Sequence, residues 1–301
     1  MAAMAMASAT GAMSQPQRSE FRFFERLRVR WSEVDLQRIV FNGHYLMYFD
    51  TAVAGYWRAL AMPYHETMAR LDGDLFVRKA TVEYLGSARY DDLCDVGMRV
   101  ARIGNSSITF AAAVFRGEQL LVHGELVYVF ADPATQTSRP VPQALREVLQ
   151  GFEAGESMFD VRLGSWAELG PQAAALRRAV FMDEQGVPAA MDGDADDADA
   201  LHAVVLNRFG QALATGRLSV AAPGQGKIAR MAVMQAMRGG GLGSAVLRAL
   251  ADAGRQRGLQ ALTLQAQSSA VAFYRSHGFV STGAPFDELG ITHQAMTLAL
   301  T

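Results

Sequence analysis

The stretch Met237–Val246, MRGGGLGSAV, is the densest glycine cluster in this 301-residue chain. Glycine lets backbone amides close on an anion that Cβ atoms would hold away. The same residues also make linkers and turns, so the flanks decide. KIARMAVM before the cluster is apolar and compatible with a strand. GLGSAVLRALADAGRQRG after it is helical, with Leu242, Val246, Leu250 and Ala253 on one face and Gly258 placed to cap the end. A strand, a glycine loop and a helix in this order aim free amides and a helix N-terminus at an anion such as phosphate. Two phosphate-binding patterns fail on spacing. A dinucleotide fingerprint needs glycines at n, n+2 and n+5, but the third position is Ser244 counted from Gly239 and Val246 counted from Gly241. A nucleotide P-loop needs a lysine that is missing here. A second candidate is Asp35, in RVRWSEVDLQRIVFNGHYLMYFD. An acid between a strand and a long helix is either a helix-entry cap or a reactive group.

The elements that must position these residues fall into two halves. In the first, Leu27, Val29 and Trp31 alternate with arginines, the pattern of a half-buried strand. Tyr45, Phe49, Ala52, Tyr56 and Leu60 then recur at helical spacing over Gly43–Leu60. Four strands follow, FVRKATVEYL, CDVGMRV, ITFAAAVF and LLVHGELVYVF, with turn signals at Gly104-Asn105 and Arg116-Gly117. An antiparallel sheet curled around one long helix would bury all these apolar faces. A short helix at QALREVL and a linker at residues 151–157 close this half. The second half mixes helices (168–184, 241–258, 269–279) with strands (159–164, 198–206, 211–221, 227–234, 259–266, 292–300). The expected fold class is α+β. It has an extension at 1–19, a first domain at 20–150 and a second at 158–301.

Half of the chain is apolar and 19% is charged, so both halves can build cores. The net charge of −2 is shared evenly between them and speaks against nucleic acid as a partner. The single cysteine, Cys94, excludes an internal disulfide and any cysteine-based metal site, which fits a cytoplasmic location. No apolar run is long enough to span a membrane. The first 19 residues lack the features of a signal peptide and read as a disordered extension, or as an over-long start with Met13 nearer the true one. MDGDADDADA lacks the spacing and closing Glu of a calcium loop and reads as a solvated loop, so no metal is expected.

The spacing Arg238-x-x-Gly241-x-Gly243 resembles the acetyl-CoA loop of the GNAT acetyltransferases, and AVAFYRSHGF resembles a second motif of that family. The resemblance covers residues 158–301. It implies a mixed, mostly antiparallel sheet and acetyl-CoA as substrate. The pyrophosphate would sit on the backbone of Arg238, Gly239, Gly240, Gly241, Leu242, Gly243 and Ser244. The pantetheine arm would lie on the backbone of Ala232 and Val233, and Tyr274 would protonate the leaving thiolate. VFMDEQGVP and DADALH are similar to a GNAT subgroup in which Glu184, His202 or His293 would serve the amine acceptor, a small molecule or peptide. The first half resembles the hotdog thioesterases of the 4-hydroxybenzoyl-CoA and Tol–Pal-associated type, through Asp35, Val40, Tyr45 and V-E-Y-x-x-x-A-R-x-D-D. That resemblance covers residues 22–150. It implies acyl-CoA hydrolysis with Asp35 as nucleophile or base, Asn42 and Tyr45 on the oxyanion side, and a homo-oligomer. Leu36-Gln37-Arg38 departs from the small residues usual after the Asp, with a glycine near position 38. Asn42 stands where many relatives have His. The alternative function is therefore a GNAT enzyme with a hotdog that only binds acyl-CoA or dimerises.

Overall fold

The computed structural model describes residues 15–188, 195–288 and 290–300. Residues 1–14 of the expected extension and 191–194 of the acidic stretch lie outside them. The chain divides into two compact units. One holds residues up to Tyr56 together with Met68–Glu153; the other holds Trp57–Thr67 and Ala154 onward.

The first unit holds β1 (Phe23–Arg28), α1 (His44–Ala59) as far as Tyr56, the end of α2 (Tyr64–Arg70) from Met68 on, β2 (Asp74–Tyr84), β3 (Leu93–Ile103), β4 (Ser107–Arg116), β5 (Gln119–Ala131) and α3 (Gln143–Glu153). Its five strands are antiparallel in the order β1-β3-β4-β5-β2. The expected helical stripe is the buried one: Tyr45, Phe49, Ala52 and Tyr56 are closed off from solvent. Facing them are alternate residues of the sheet, Phe110, Leu126, Tyr128 and Phe130.

Two expectations need correction here. Residues 18 and 19 belong to the folded unit, because Arg18 Nη2 donates to Asp95 Oδ2 at 2.6 Å and its guanidinium lies over Phe24. Residues 151–153 are not linker. Glu153 Oε1 accepts hydrogen bonds from the Val100 amide at 2.7 Å and the Tyr56 hydroxyl at 2.5 Å, which holds the last turn of α3 on the sheet.

The second unit runs β6 (Phe159–Gly164), α4 (Trp166–Arg177), β7 (Leu201–Asn207), β8 (Ala212–Ala222), β9 (Gln225–Val233), α5 (Leu242–Gln256), β10 (Ala261–Gln267), α6 (Val271–Ser276), β11 (Val280–Ser281), β12 (Phe286–Glu288) and β13 (Ile291–Ala299). Its sheet has the order β11-β13-β10-β9-β8-β7-β6, with β12 beside β13. All pairings are antiparallel except β9 with β10. The helix expected over 168–184 is α-helical only to Arg177. Residues Arg178–Glu184 widen into a π turn, a rare form found mostly as single turns, often at functional sites.

Two irregularities shape the middle of this sheet. Thr215 pairs with Ala232 and Arg217 with Ala229, so Arg230 and Met231 face Gly216 alone in a β-bulge. Arg230 takes a left-handed φ of 55° there. A Cβ on Gly216 would come within 2.4 Å of Met231 Sδ and 2.7 Å of Val246 Cγ1, so a larger residue opposite the bulge would force those side chains to shift. Strands β9 and β10 pair only over Gln225–Lys227 and Ala261–Thr263. Beyond Lys227 and Thr263 the two strands diverge, leaving a splay in the sheet.

Candidate active sites

In the first unit Asp35 stands at the tip of a small hairpin. Val34 bridges Val40, the Phe41 amide donates to Glu33 O, and the Asp35 amide donates to Ile39 O. The turn is closed by the Arg38 amide donating to Asp35 O at 2.9 Å. Asp35 Oδ1 accepts the Gln37 amide at 2.8 Å, and among the described residues Oδ2 has no partner. Arg38 carries a φ of 63°, a left-handed backbone that favours glycine.

Alpha-helix α1 begins a few residues later. The amides of Asn42 and Gly43, just ahead of it, have no acceptor among the described residues. They are free donors beside a helix N-terminus, where negative charge is stabilised. Asn42 is exposed, and its carbonyl accepts from the Tyr84 hydroxyl at 3.1 Å. Tyr45 is buried, and its hydroxyl accepts the Ala88 amide at 2.9 Å. Burial pushes the Tyr45 phenol up, so it stays protonated.

Sequence reasoning did not single out Glu33. It is buried under the hairpin, and it accepts from the Arg30 amide and Arg30 Nε, each at 2.7 Å, and from the Tyr48 hydroxyl at 2.8 Å. Burial alone would raise its pKa; the hydrogen bonds from Arg30 and Tyr48 outweigh that and hold the carboxyl below its ordinary value. The spacing Arg30-x-x-Glu33 was the available signal.

In the second unit the glycine loop connects the end of β9 to α5. Gly239 and Gly241 both have φ of 80°, and a Cβ on either would meet nothing, so backbone conformation rather than space requires glycine there. The first intrahelical bond comes from the Ala245 amide. Among the described residues, the amides of Gly239 through Ser244 have no acceptor. Six free donors at the start of a 15-residue helix form a cradle for an anion. A Cβ on Gly243 would lie 3.3 Å from Val233 and 3.5 Å from Phe273, so the start of α5, the end of β9 and α6 converge there.

Tyr274, next to Phe273, is buried, and burial pushes its phenol up to about 12. Its hydroxyl has no partner among the described residues. At the end of β9 only one of the two expected backbone positions faces the splay. The Met234 amide donates to Leu213 O, so Met234 and Leu213 form a hydrogen-bonded pair in the ladder. Alternation then turns Val233 away from β8 and Ala232 toward it.

The three acceptor-side candidates have different surroundings. His202 is fully buried in β7. Its Nδ1 lies 3.2 Å from Arg177 Nη2 and its Nε2 lies 2.9 Å from Asp197 O. Arginine only donates, so Nδ1 accepts and Nε2–H donates: the ring is neutral and both nitrogens are occupied. Burial lowers its pKa further. Asp197 in turn bridges Arg177 and Arg217. His293 is half-buried, stacks on Phe286 and turns Nδ1 to Ile291 O at 2.8 Å. It pairs with Gln267, the last residue of β10, beyond the divergence from β9. Glu184 ends the π turn and makes a fork with Arg238, both contacts at 2.6 Å. The arginine holds its carboxyl below the ordinary range. The structure thus joins Glu184 to Arg238 and gives His202 and His293 separate partners. Among the described residues there is no cluster of three or more metal-ligating side chains.

A five-stranded antiparallel sheet with one long buried helix, and a splayed mixed sheet with a glycine loop at its centre, define a thioesterase-type hotdog followed by an acetyltransferase-type fold. Comparison with known proteins agrees: the chain belongs to the acetyltransferase (GNAT) domain family through residues 166–300, and residues 37–123 match the thioesterase superfamily. It is similar to YjcF of Bacillus subtilis (strain 168), an uncharacterized N-acetyltransferase. The two are 34% identical over 122 residues, 40% of this chain and 86% of the relative. The acyl-CoA thioester hydrolase YbgC of Escherichia coli O6:H1 is 25% identical over 120 residues, 40% of this chain and 89% of the relative. The solved structure of Escherichia coli ElaA covers 47% of this chain and 99% of its own, at 26% identity and a TM-score of 0.43.

Proposed function

We propose that the chain is bifunctional. The first unit hydrolyses an acyl-CoA, and the second transfers acetyl from acetyl-CoA to an amine carried by a small molecule or peptide. The observation that carries the second activity is the row of unengaged amides from Gly239 to Ser244, set beside the splay where Val233 turns its peptide groups outward. The diphosphate of CoA fits such donors, and a pantetheine arm fits an unpaired strand edge. The amine attacks the acetyl carbonyl, the C–S bond breaks, and the thiolate takes the Tyr274 proton. His293 is the acceptor-side residue whose surroundings best support taking the amine proton, because its Nε2 has no partner among the described residues.

In the first unit the reading rests on Asp35 Oδ2, which has no partner among the described residues, and on the Asn42 and Gly43 amides ahead of α1. Asp35 attacks the thioester or activates water for it, and the amides receive the charge on the carbonyl oxygen. Strand β2 is a sheet edge, and Val77 and Tyr84 along it and Leu85 just after it are exposed apolar residues, as are Leu46 and Met47 of α1. That combination supports a homo-oligomer through this unit. The single buried Cys94, with its thiol pushed up to about 11 by burial, fits a cytoplasmic setting.

The test is CoA release from a panel of acyl-CoAs by wild type and Asp35→Asn. Hydrolysis that survives the substitution would remove Asp35 from the mechanism. A second reading has one observation in its favour. Asp35 Oδ1 closes a turn on the Gln37 amide, as a purely structural aspartate would. On that reading the hotdog binds acyl-CoA without turning it over, and calorimetry would show binding with no CoA released. For the second unit, acetyl-CoA should raise the melting temperature of the wild type and not that of a Gly241→Asp, Gly243→Asp double variant.

A further inference from the structure

We infer that Glu184 is a positioning residue of the acetyl-CoA site, acting through Arg238, and not the group that takes the amine proton. The inference rests on the reading that acetyl-CoA occupies the Arg238–Ser244 loop.

Arg238 Nη1 and Nη2 donate to Glu184 Oε1 and Oε2, each at 2.6 Å, and Nε donates to Val233 O at 3.2 Å. Both carboxylate oxygens are thereby taken by one planar fork, the arrangement with the strongest geometric preference among ion pairs. A carboxylate held this way is a weak proton acceptor. The same side chain therefore touches the last residue of the π turn, the last residue of β9 and, through its own backbone, the first residue of the glycine loop.

The loop needs such an anchor. Gly239 and Gly241 have no side chains, and no heavy atom lies within reach of the Cβ either would carry. Before α5 takes over, the Arg238 amide, bound to Gln235 O at 3.3 Å, is the last backbone donor of the loop with a partner. A flexible loop that must hold a diphosphate loses affinity to its own ordering entropy, and a side-chain clamp at its entrance reduces that loss. The π turn places Glu184 for this. Leu176 and Val180 pack with Ala232, and Phe181 and Met234 close the same cluster, so the widened helix lies against the end of β9. At the next residue, Gln267 Nε2 of β10 donates to Gln185 Oε1 at 3.2 Å, tying the helix end to the other side of the splay.

A consequence for ligand choice follows from the third contact. Val233 is the residue at this end of β9 whose peptide groups face the splay, and Arg238 Nε takes its carbonyl. Val233 N–H is left as the donor there. The bound arm must present an acceptor to it, which a pantetheine amide carbonyl does.

The test is calorimetric titration of the full chain with CoA, comparing wild type, Glu184→Gln, Arg238→Gln and the double variant at one pH and ionic strength. Arg238→Gln keeps a polar side chain at the loop entrance while removing the guanidinium fork. The expected result is that Glu184→Gln weakens CoA binding about tenfold, within the usual range of coupling between sites. In the Arg238→Gln background the same substitution should change CoA affinity by less than about twofold, because the partner through which it acts is gone. Wild type and Glu184→Gln binding CoA equally would overturn the inference while leaving the acetyl-CoA reading intact. So would a Glu184→Gln protein that melts earlier yet binds CoA normally, which is the mark of a merely structural pair. An equal loss in both backgrounds would overturn it too, since Glu184 would then act without Arg238. A wild type that does not bind CoA would overturn the acetyl-CoA reading itself, and the inference with it.

Discussion

The hydroxyl of Tyr45 accepts the amide of Ala88 at 2.9 Å, and the carbonyl of the same Ala88 accepts the amide of Val40. One residue of the β2–β3 connection thus ties the first turn of α1 to the hairpin that carries Asp35. Ala88 is fully buried, so its amide has no route to water. Tyr45→Phe keeps the ring and strands that amide, at about 1–3 kcal/mol. The melting temperature should fall, and acyl-CoA hydrolysis should fall at least tenfold as the hairpin loses its register against α1. A variant with wild-type melting and turnover would show that Tyr45 positions nothing.

Arg38 lies near the place where the thioesterases this unit resembles usually have a glycine, and its own backbone favours one: its φ is 63°. A side chain in that region carries about 1 kcal/mol of strain that glycine does not. Part of the gain is offset because glycine also loosens the unfolded chain. Arg38→Gly should therefore leave the melting temperature unchanged or raise it by about 1–3 °C, and it should preserve or increase CoA release. A loss of stability would mean that the Arg38 side chain makes a contact the backbone argument overlooks.

Two buried carboxylates set the acid limit of the first unit. Glu33 is held below its ordinary value by Arg30 and Tyr48 against the opposing effect of burial. Asp95 is held low by the Arg26 hydrogen bond, with burial opposing and Arg18 adding to it. A carboxyl whose folded pKa is depressed contributes stability that is complete above its unfolded value, about 4. That contribution is lost as pH falls through the lower folded value. Stability of this unit should accordingly be flat from pH 7 to about pH 5 and decline below pH 4. Glu33→Gln should lower stability at pH 7 by about 1–3 kcal/mol and flatten the decline. Chemical unfolding from pH 3 to pH 7 provides the check. An equal deficit at both ends would show that Glu33 does not titrate with folding.

Much of this was legible in the sequence because it is written in side-chain periodicity. The stripe Tyr45, Phe49, Ala52, Tyr56 located α1, and Leu242, Val246, Leu250, Ala253 located α5, because burying such a stripe is what makes each helix stable. The Gly239 and Gly241 conformations follow from residue type. What was not legible depends on partners far away in the chain. Nothing in the local sequence marks Glu33 as buried, because Tyr48 and the hairpin that cover it are set by the fold. The family resemblance offered His202 as an acceptor-side residue, and only the fold shows Arg177 and Asp197 taking both ring nitrogens. The π turn at Arg178–Glu184 leaves no periodic mark, since the residues before and after it are equally helix-compatible. The choice of Val233 over Ala232 depends on ladder register, which a bulge at Arg230 resets.

Tyr274 offers the sharpest test of the second unit, because its charge state is fixed by its surroundings. Burial pushes its phenol up to about 12, so it remains protonated at any pH where the protein can be assayed. A group that stays protonated can donate throughout, and its donation leaves no alkaline limb in the rate profile. The limb, if present, belongs to the acceptor amine or its base. Tyr274→Phe removes one hydroxyl from an otherwise apolar contact with Phe273 and Phe279, so packing should survive and CoA affinity should stay within about twofold. The transfer rate should fall between about 10²- and 10⁴-fold, the range for a positioned general acid. The deficit should be about constant from pH 6 to pH 9, since neither protein changes charge at this position across that window. The measurement is acetyl-CoA consumption with the best amine of a panel, in wild type and variant, across that pH range. A variant that transfers acetyl at the wild-type rate would leave the thiolate to be protonated by solvent and return Tyr274 to the role of a buried ring.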